Sequence, residues 1–209
     1  MTAVNTSEDS DAMLDKLAIR EVLEGWAIAR DTGDWEGLAA CWQPGAVMNA
    51  TWFQGSSEQF IERAKASFAK GSMSSHVLGA ISIKLAGPRA VAQTRVTISA
   101  REALDGALYD IACVGRFYDL FERRGGRWAI VSRFLTYEKD RADPVFAGET
   151  HTFDRALLDS FPQGYRFLAY AQSKRGLDVN RNLPGLRGPE VEALYARGAR
   201  WLAGGPVGP

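Results

Sequence analysis

The stretch from Leu14 to Phe53 constrains the fold more than any other part of the chain. In its first half, apolar side chains recur at helical spacing in two rows, residues 14, 18, 22 and 26 and residues 19, 23 and 27. This period predicts an amphipathic helix of about four turns that ends at Asp31. Asp31 follows Ala27 by four residues and Ile28 by three, so its carboxylate falls on the buried flank of the last turn. A carboxylate in that position needs a partner, and a backbone donor or the adjacent Arg30 is the simplest one.

A recognisable order of elements follows this helix. The segment from Asp31 to Trp35 predicts a helix stop, and a second short helix is expected from Glu36 to Trp42. Pro44-Gly45 indicates a turn, and the alternating pattern from Ala46 to Phe53 predicts a strand. The order is therefore helix, acidic turn with a tryptophan, helix, turn and strand.

Two later features complete the pattern. His76 is the first of only two histidines, and residues 117–130 read as a hairpin that turns at Gly125-Gly126. In this order, the elements resemble the SnoaL-like branch of the NTF2-like superfamily, which includes scytalone dehydratase, hexachlorocyclohexane dehydrochlorinase, bile acid dehydratase and polyketide cyclases. The resemblance runs from Leu14 to Asp140. It implies an α+β, cone-shaped fold in which N-terminal helices wrap a curved, mostly antiparallel sheet.

The remaining elements are predicted from local signals. Ser56 and Gln59 form a capping box that opens a helix ending near Lys70. Alternating patterns predict strands at residues 75–85, 90–101, 108–123 and 127–137. Beyond the resemblance, helices are expected at residues 153–161, 164–173 and 189–202. The last of these has Pro189 at its first position and Gly204 after its end.

These signals divide the chain into three parts. Residues 1–11 lack apolar side chains at any regular period and are expected to be a flexible arm. Residues 12–141 form the SnoaL-like domain. Residues 142–209 form a C-terminal extension rich in aromatic side chains, which predicts that it packs on the domain over the pocket mouth, or on a neighbouring subunit.

Composition excludes several classes of function. The 25 basic and 25 acidic side chains cancel and the arginines are scattered, so nucleic-acid binding is disfavoured. Cys41 and Cys113 have neither metal-site spacing nor disulfide density, and we expect buried, reduced thiols. The sequence shows no targeting segment and no apolar run long enough for a membrane span, so we expect a cytoplasmic protein with no membrane partner.

An imidazole beside a carboxylate forms a general base pair, because the carboxylate orients the ring and stabilises the imidazolium. The resemblance implies that Asp31 and His76 form this pair, since dehydratases of the family carry Asp and His at matching positions. A histidine bonded to a backbone carbonyl in the core is the alternative. The chain departs from scytalone dehydratase at two positions, having no second pocket histidine near Arg101 and Ala50 in place of a tyrosine.

The face on which His76 lies depends on the regularity of its strand. Strict alternation from Ile81 and Ile83 places His76 on the opposite face of the sheet. A β-bulge at Gly79 restores it to the same face.

Further residues are candidates for substrate contact. Trp26 on the helix and Trp52 on the first strand are expected to wall the pocket, with ordinary core packing as the alternative. Arginines within strands need partners, and one of Arg95, Arg116 and Arg133 is a candidate to hold a substrate oxygen or a developing oxyanion. The alternative for these arginines is a subunit contact or a salt bridge to Asp110, Asp119 or Glu138.

Two tyrosines and the second histidine complete the candidates. Tyr109 and Tyr137 are possible proton donors to a leaving hydroxyl. His151 matters only if the extension folds over the cone. With no His-x-x-x-His pair, paired cysteines or phosphate-binding glycine loop, we expect neither a metal nor a cofactor.

These residues favour a cofactor-independent lyase acting on a hydrophobic, aromatic small molecule. The reaction expected is a dehydratase-like elimination, or loss of formaldehyde from a hydroxymethyl group. An isomerase or polyketide cyclase acting through an enolate is one alternative, and a non-catalytic small-molecule-binding module is another. The resemblance also implies a homo-oligomer built on the sheet, with a trimer favoured over a dimer.

Overall fold

The computed structural model describes residues 6–146, 148 and 152–208, so His151 lies outside the described residues. The helices are α1 (Thr6–Thr32), α2 (Trp35–Ala40), α3 (Ser57–Ala69), α4 (Arg155–Asp159), α5 (Arg166–Lys174) and α6 (Pro189–Leu202). The strands are β1 (Trp42–Asn49), β2 (Gln54–Ser56), β3 (Ser74–Ala86), β4 (Arg89–Leu104), β5 (Ala107–Arg124) and β6 (Arg127–Pro144). A short 3-10 helix, Gln163–Tyr165, precedes α5. None of the described helices combines the length and the apolar character needed to cross a membrane.

The strands form one mixed sheet in the order β2-β1-β6-β5-β4-β3. Every neighbouring pair is antiparallel except β1 with β6, which is parallel. The predicted α+β fold with a mostly antiparallel sheet and N-terminal helices is confirmed.

Helix boundaries follow the predicted caps closely at two places. The Ser56 hydroxyl accepts a hydrogen bond from the backbone N–H of Gln59 and caps α3. Helix α6 begins and ends as its sequence predicts, at Pro189 and Leu202. At the N-terminus, however, α1 already begins at Thr6, so residues 6–11 are helical where a flexible arm was expected.

Strand β1 also differs from its prediction. It runs from Trp42 to Asn49 and contains Pro44-Gly45, which the sequence indicates as a turn. Its pairing with β6 is irregular in this part, and a proline, which lacks an N–H, is tolerated at such an irregularity. The strand predicted over residues 46–53 therefore ends early, and Trp52 lies in the turn that leads to β2.

The C-terminal extension packs on both faces of the sheet. Phe117 and Tyr118 are consecutive on β5 and face opposite sides. Phe117 belongs to the large core shared with α1, α3 and α5. Tyr118 belongs to a second, smaller cluster beneath α6, whose other buried members are Val91, Leu120, Val131, Leu194 and Trp201. The extension is thus an integral part of this chain's core.

Candidate active site

The structure brings Asp31 and His76 together. Asp31 lies in the last turn of α1, and its Oδ1 is 2.6 Å from Nδ1 of the His76 ring. Its other oxygen, Oδ2, accepts a hydrogen bond from the backbone N–H of His76 at 2.7 Å. The carboxylate therefore has the partner that its buried position requires, and that partner is His76.

A β-bulge in β3 decides the face on which His76 lies. Leu78 pairs with Val96 of β4, but the next recorded pair joins Ile81 to Thr94. Two residues of β3 thus stand opposite one residue of β4, which shifts the alternation by one position. His76 and Leu78 consequently share a face with Ile81, and the bulge anticipated at Gly79 is confirmed.

The pairing with Asp31 fixes the tautomer of the imidazole. A carboxylate only accepts hydrogen bonds, so the proton of the neutral ring lies on Nδ1 and the lone pair on Nε2. Among the described residues, Nε2 has no hydrogen-bond partner, and His76 lines the cavity described below. Burial is the largest effect on the ring and lowers the pKa of His76 below its ordinary value, although Asp31 opposes the shift. The imidazole is therefore neutral at pH 7, with a free basic nitrogen.

His76 opens onto a cavity of about 580 Å³. Its apolar wall combines aliphatic side chains with five aromatic ones, Trp26, Trp52, Phe60, Phe117 and Tyr137. The edge of the Trp26 ring contacts the His76 ring at a centroid distance of 5.3 Å. A cavity of this size and character accommodates an aromatic small molecule.

The C-terminal extension covers the cavity of its own chain. Leu168, Ala171 and Gln172 of α5 line the same space as His76. Helix α5 is held by the carboxylate of Asp140 on β6, which accepts a hydrogen bond from the backbone N–H of Leu168 at 2.9 Å. Within this chain the extension lies over its own pocket, and its contact with a neighbouring subunit stays a prediction.

Arg175, at the end of α5, links this helix to β4 and α3, which also line the cavity. Arg175 donates hydrogen bonds to Glu102 on β4 at 2.7 Å and to the Ser67 hydroxyl on α3 at 3.1 Å. These contacts join three elements of the cavity wall through one guanidinium.

Arg133 was predicted to contact substrate, and the structure places it elsewhere. Its side chain is fully buried and forms two hydrogen bonds to Asp119, at 2.7 and 2.9 Å. Its guanidinium lies against the rings of both Trp26 and Phe117, at 4.2 and 3.9 Å from the ring centroids. Because it supports the aromatic wall from behind and does not line the cavity, the substrate-binding prediction is wrong for Arg133.

Arg116 is likewise not a cavity residue. It donates hydrogen bonds to Glu138 and Gln93, both at 3.0 Å, and to the hydroxyl of Tyr195 on α6. These partners hold it on the α6 side of the sheet, so its predicted role in substrate contact is wrong. Arg95 forms a longer ion pair with the same Glu138, at 3.6 Å. The salt-bridge alternative thus holds for all three strand arginines.

Of the two candidate tyrosines, one lines the cavity and the other does not. Tyr137 lines the cavity, and its buried hydroxyl lies beside Thr51. Burial raises the pKa of Tyr137 far above its ordinary value, so it stays neutral as a cavity-wall donor. Tyr109 is buried against Phe153, with ring centroids 5.1 Å apart, and does not line the cavity, so its predicted role is wrong.

Several polar side chains of the cavity were not proposed as site residues from the sequence, and two of them are informative. Arg30 lines the space beside His76. Gln172 on α5 also lines it, and its buried side-chain oxygen has no hydrogen-bond partner among the described residues. The position of Arg30 beside Asp31 gave a signal, but the sequence reading treated Arg30 only as a partner for Asp31. Gln172 gave none, because its element lies outside the resemblance.

The cysteines and the potential metal ligands add no further site. Cys41 and Cys113 are buried and free, and burial raises the pKa of the Cys41 thiol to about 11. Within the described ranges, no three His, Cys, Asp or Glu side chains lie close enough to hold a metal ion.

The fold and the cavity define an α+β protein with an internal, partly aromatic cavity beside an Asp-His pair. More narrowly, the chain belongs to the SnoaL-like domain family, whose family model matches residues 11–134.

Relatives cover nearly the whole chain. A PEP2-like protein of Fusarium vanettenii is 33% identical over 97% of this chain and 91% of its own length. Pea pathogenicity protein 2 of the same fungus is 33% identical over 96% of this chain and 90% of its own length. The similarity therefore includes the C-terminal extension, which lies beyond the residues that the family model matches.

Solved structures show the same fold at lower identity. A putative scytalone dehydratase from Novosphingobium aromaticivorans superposes with a TM-score of 0.57 at 16% identity, covering 68% of this chain and 99% of that one. The LinA crystal structure gives a TM-score of 0.56 at 18% identity, covering 69% of this chain and 98% of that one.

Proposed function

We propose that this protein is a cofactor-independent lyase that eliminates water from a hydrophobic, aromatic small molecule, with His76 as the base and Asp31 as its partner. The observation that carries the proposal is the free Nε2 of a neutral His76, held by Asp31 at the wall of an aromatic cavity. The fold is shared with a putative dehydratase and with LinA, which supports elimination as the type of reaction.

The elimination follows from this geometry. Nε2 of His76 removes a proton from a substrate carbon, and the electrons of that C–H bond form the new carbon-carbon double bond. The bond between the adjacent carbon and the hydroxyl group breaks, and the departing hydroxide takes the proton from the imidazolium. The products are an alkene and water, and His76 returns to its starting state. Asp31 lowers the cost of the step because its negative charge stabilises the transient imidazolium.

Loss of formaldehyde uses the same base. Nε2 removes the proton of a hydroxymethyl group, the oxygen electrons form the carbonyl of formaldehyde, and the carbon-carbon bond breaks. The resulting carbanion is protonated from the imidazolium. The mass lost from the substrate distinguishes formaldehyde from water.

The test is a mass-spectrometric assay on a panel of aromatic β-hydroxy ketones and hydroxymethyl-substituted aromatic compounds. We expect the wild-type protein to lower the mass of at least one compound by one water or one formaldehyde. His76→Gln is expected to lower kcat by about 10²-fold to 10⁴-fold, the usual contribution of a positioned general base. Arg20→Gln is the control, because Arg20 is exposed on α1 and pairs with Glu24 away from the cavity.

Other outcomes identify the alternatives. A product with unchanged mass that depends on His76 indicates an isomerase or cyclase acting through an enolate. Ligand binding without turnover, unaffected by His76→Gln and Asp31→Asn, indicates a non-catalytic binding module.

A further inference from the structure

Arg30 places a positive charge in the cavity wall that has no hydrogen-bonded or ion-paired partner among the described residues. It lines the cavity together with His76 and is only partly exposed. Among the residues that the structure describes, its guanidinium forms no hydrogen bond and no ion pair. A partly buried guanidinium normally has such a partner, because its desolvation is costly.

The other arginines that are not exposed all have partners. Arg133 pairs with Asp119, Arg116 with Glu138 and Arg166 with Asp159. Arg89 and Arg197 donate to backbone carbonyl oxygens near the C-terminus. Arg30 is therefore the exception among the partly or fully buried arginines of the described chain.

Asp31, the neighbour of Arg30 in the sequence, directs both of its carboxylate oxygens at His76. One carboxylate oxygen is hydrogen-bonded to the ring of His76 and the other to the His76 backbone N–H. Among the described residues, Asp31 forms no hydrogen bond or ion pair with Arg30 and acts on it through its charge alone. Burial is the larger effect and lowers the pKa of Arg30, while the negative charge of Asp31 opposes this shift.

The rest of the cavity is also positive. Arg63 and Lys70 line its exposed end. Glu102 is the one carboxylate among the described cavity residues, and Arg175 already donates a hydrogen bond to it. Such a lining attracts an anion and repels a cation.

We propose that Arg30 binds a carboxylate group of the substrate, so that the substrate is an aromatic carboxylic acid in its anionic form. The planar guanidinium presents paired N–H donors that match the two oxygens of a carboxylate. A molecule held in this way lies with its aromatic part against the tryptophans and within the same cavity as His76. This inference rests on the proposed function for the reaction, but the binding site can be tested without turnover.

The test compares two probes of nearly equal shape, 2-naphthoate and 2-naphthamide, by isothermal titration calorimetry. We expect the wild-type protein to bind the carboxylate about tenfold more tightly than the amide. Arg30→Gln is expected to abolish this preference, and Arg30→Lys to retain part of it, because lysine keeps the charge but not the paired donors. Arg20→Gln, on an exposed part of the same helix, is expected to leave the preference unchanged.

Three results overturn the inference: equal affinity for the two probes, no measurable binding of either, or a preference that survives in Arg30→Gln. The His76→Gln variant separates this inference from the proposed function. If that variant keeps the carboxylate preference while the panel yields no product, the anion site stands and the lyase proposal fails. If the panel yields product but the preference is absent, the lyase proposal stands and the anion site fails.

Discussion

The carboxylate of Asp31 holds His76 at two points, with Oδ1 on the ring nitrogen Nδ1 and Oδ2 on the backbone N–H. The first contact fixes the ring tautomer. The second fixes the position of strand β3 against the end of α1. One side chain thereby sets both the chemical state of the imidazole and its place in the cavity.

Asp31→Asn is expected to let the His76 ring populate both tautomers and to lower kcat. An asparagine amide offers both a donor and an acceptor, so the proton is no longer restricted to Nδ1. Nitrogen-15 NMR of the imidazole reports the tautomer directly, and His76→Gln assigns the signals, since the chain has only two histidines. We expect kcat to fall by roughly 10²-fold or more. An unchanged tautomer in Asp31→Asn would contradict the role assigned to Asp31.

Stability is expected to fall on acidification because of His76. Burial lowers the folded-state pKa of His76, so below its ordinary value of 6.5 the unfolded chain binds more protons than the folded one. Above pH 6.5 the ring is neutral in both states and His76 costs no stability. As the pH falls below 6.5, the free energy of unfolding decreases by no more than about 1.4 kcal/mol per pH unit. Urea unfolding at about pH 7.5 and about pH 5.5 measures the loss. His76→Gln, which cannot titrate, is expected to lose less stability than the wild type, and an equal loss speaks against the shift.

Asp140 is expected to control how firmly α5 closes the cavity. Its carboxylate accepts backbone hydrogen bonds at the start of α5, where it also meets the positive end of the helix. Asp140→Ala is expected to lower the free energy of unfolding by about 1–3 kcal/mol and to speed amide exchange in residues 166–174. Asp143→Ala is the matched control, because that carboxylate forms only an exposed pair with Arg141. Equal exchange in the two variants would show that Asp140 does not anchor α5.

Arg133 is expected to stabilise the fold and not to contribute to the binding of a charged ligand. Arg133→Ala leaves the buried carboxylate of Asp119 unpaired and should lower the free energy of unfolding by about 3–5 kcal/mol. Adding Asp119→Ala removes the uncompensated charge and should recover part of the loss. Denaturant unfolding of the four proteins in this cycle gives the coupling energy. Additive losses would show that the pair is not the cause.

The homo-oligomer implied by the resemblance stays a prediction, with a trimer expected before a dimer. Helix α6 covers one part of the outer sheet face through Leu194 and Trp201, so a subunit contact on the sheet must use the part that α6 leaves open. Val77 on β3 is an exposed apolar residue of that part. Light scattering coupled to size-exclusion chromatography gives the mass. Val77→Asp is expected to weaken the assembly, and an unchanged mass excludes this surface.

Local sequence signals determined the helices and the order of the elements. Helix α6 begins at Pro189 and ends at Leu202 as predicted, because its start and its apolar stripe depend on neighbours within a few residues. The same holds for the cap at Ser56 and for the placement of Asp31 on the buried flank of α1. These features depend on short-range geometry, which the sequence carries directly.

Only the tertiary structure decided which side chains face the cavity. His76 reaches Asp31 because β3 bulges where it pairs with β4, a property of two strands together. Arg133 is neutralised because Asp119 lies directly opposite it in the register of β5 and β6. Among the described residues, both oxygens of Asp31 bond to His76 and neither bonds to the adjacent Arg30, a choice that only the packing of β3 against α1 reveals. A strand residue changes face with a shift of one position, so its role is fixed only when its partner strand is in place.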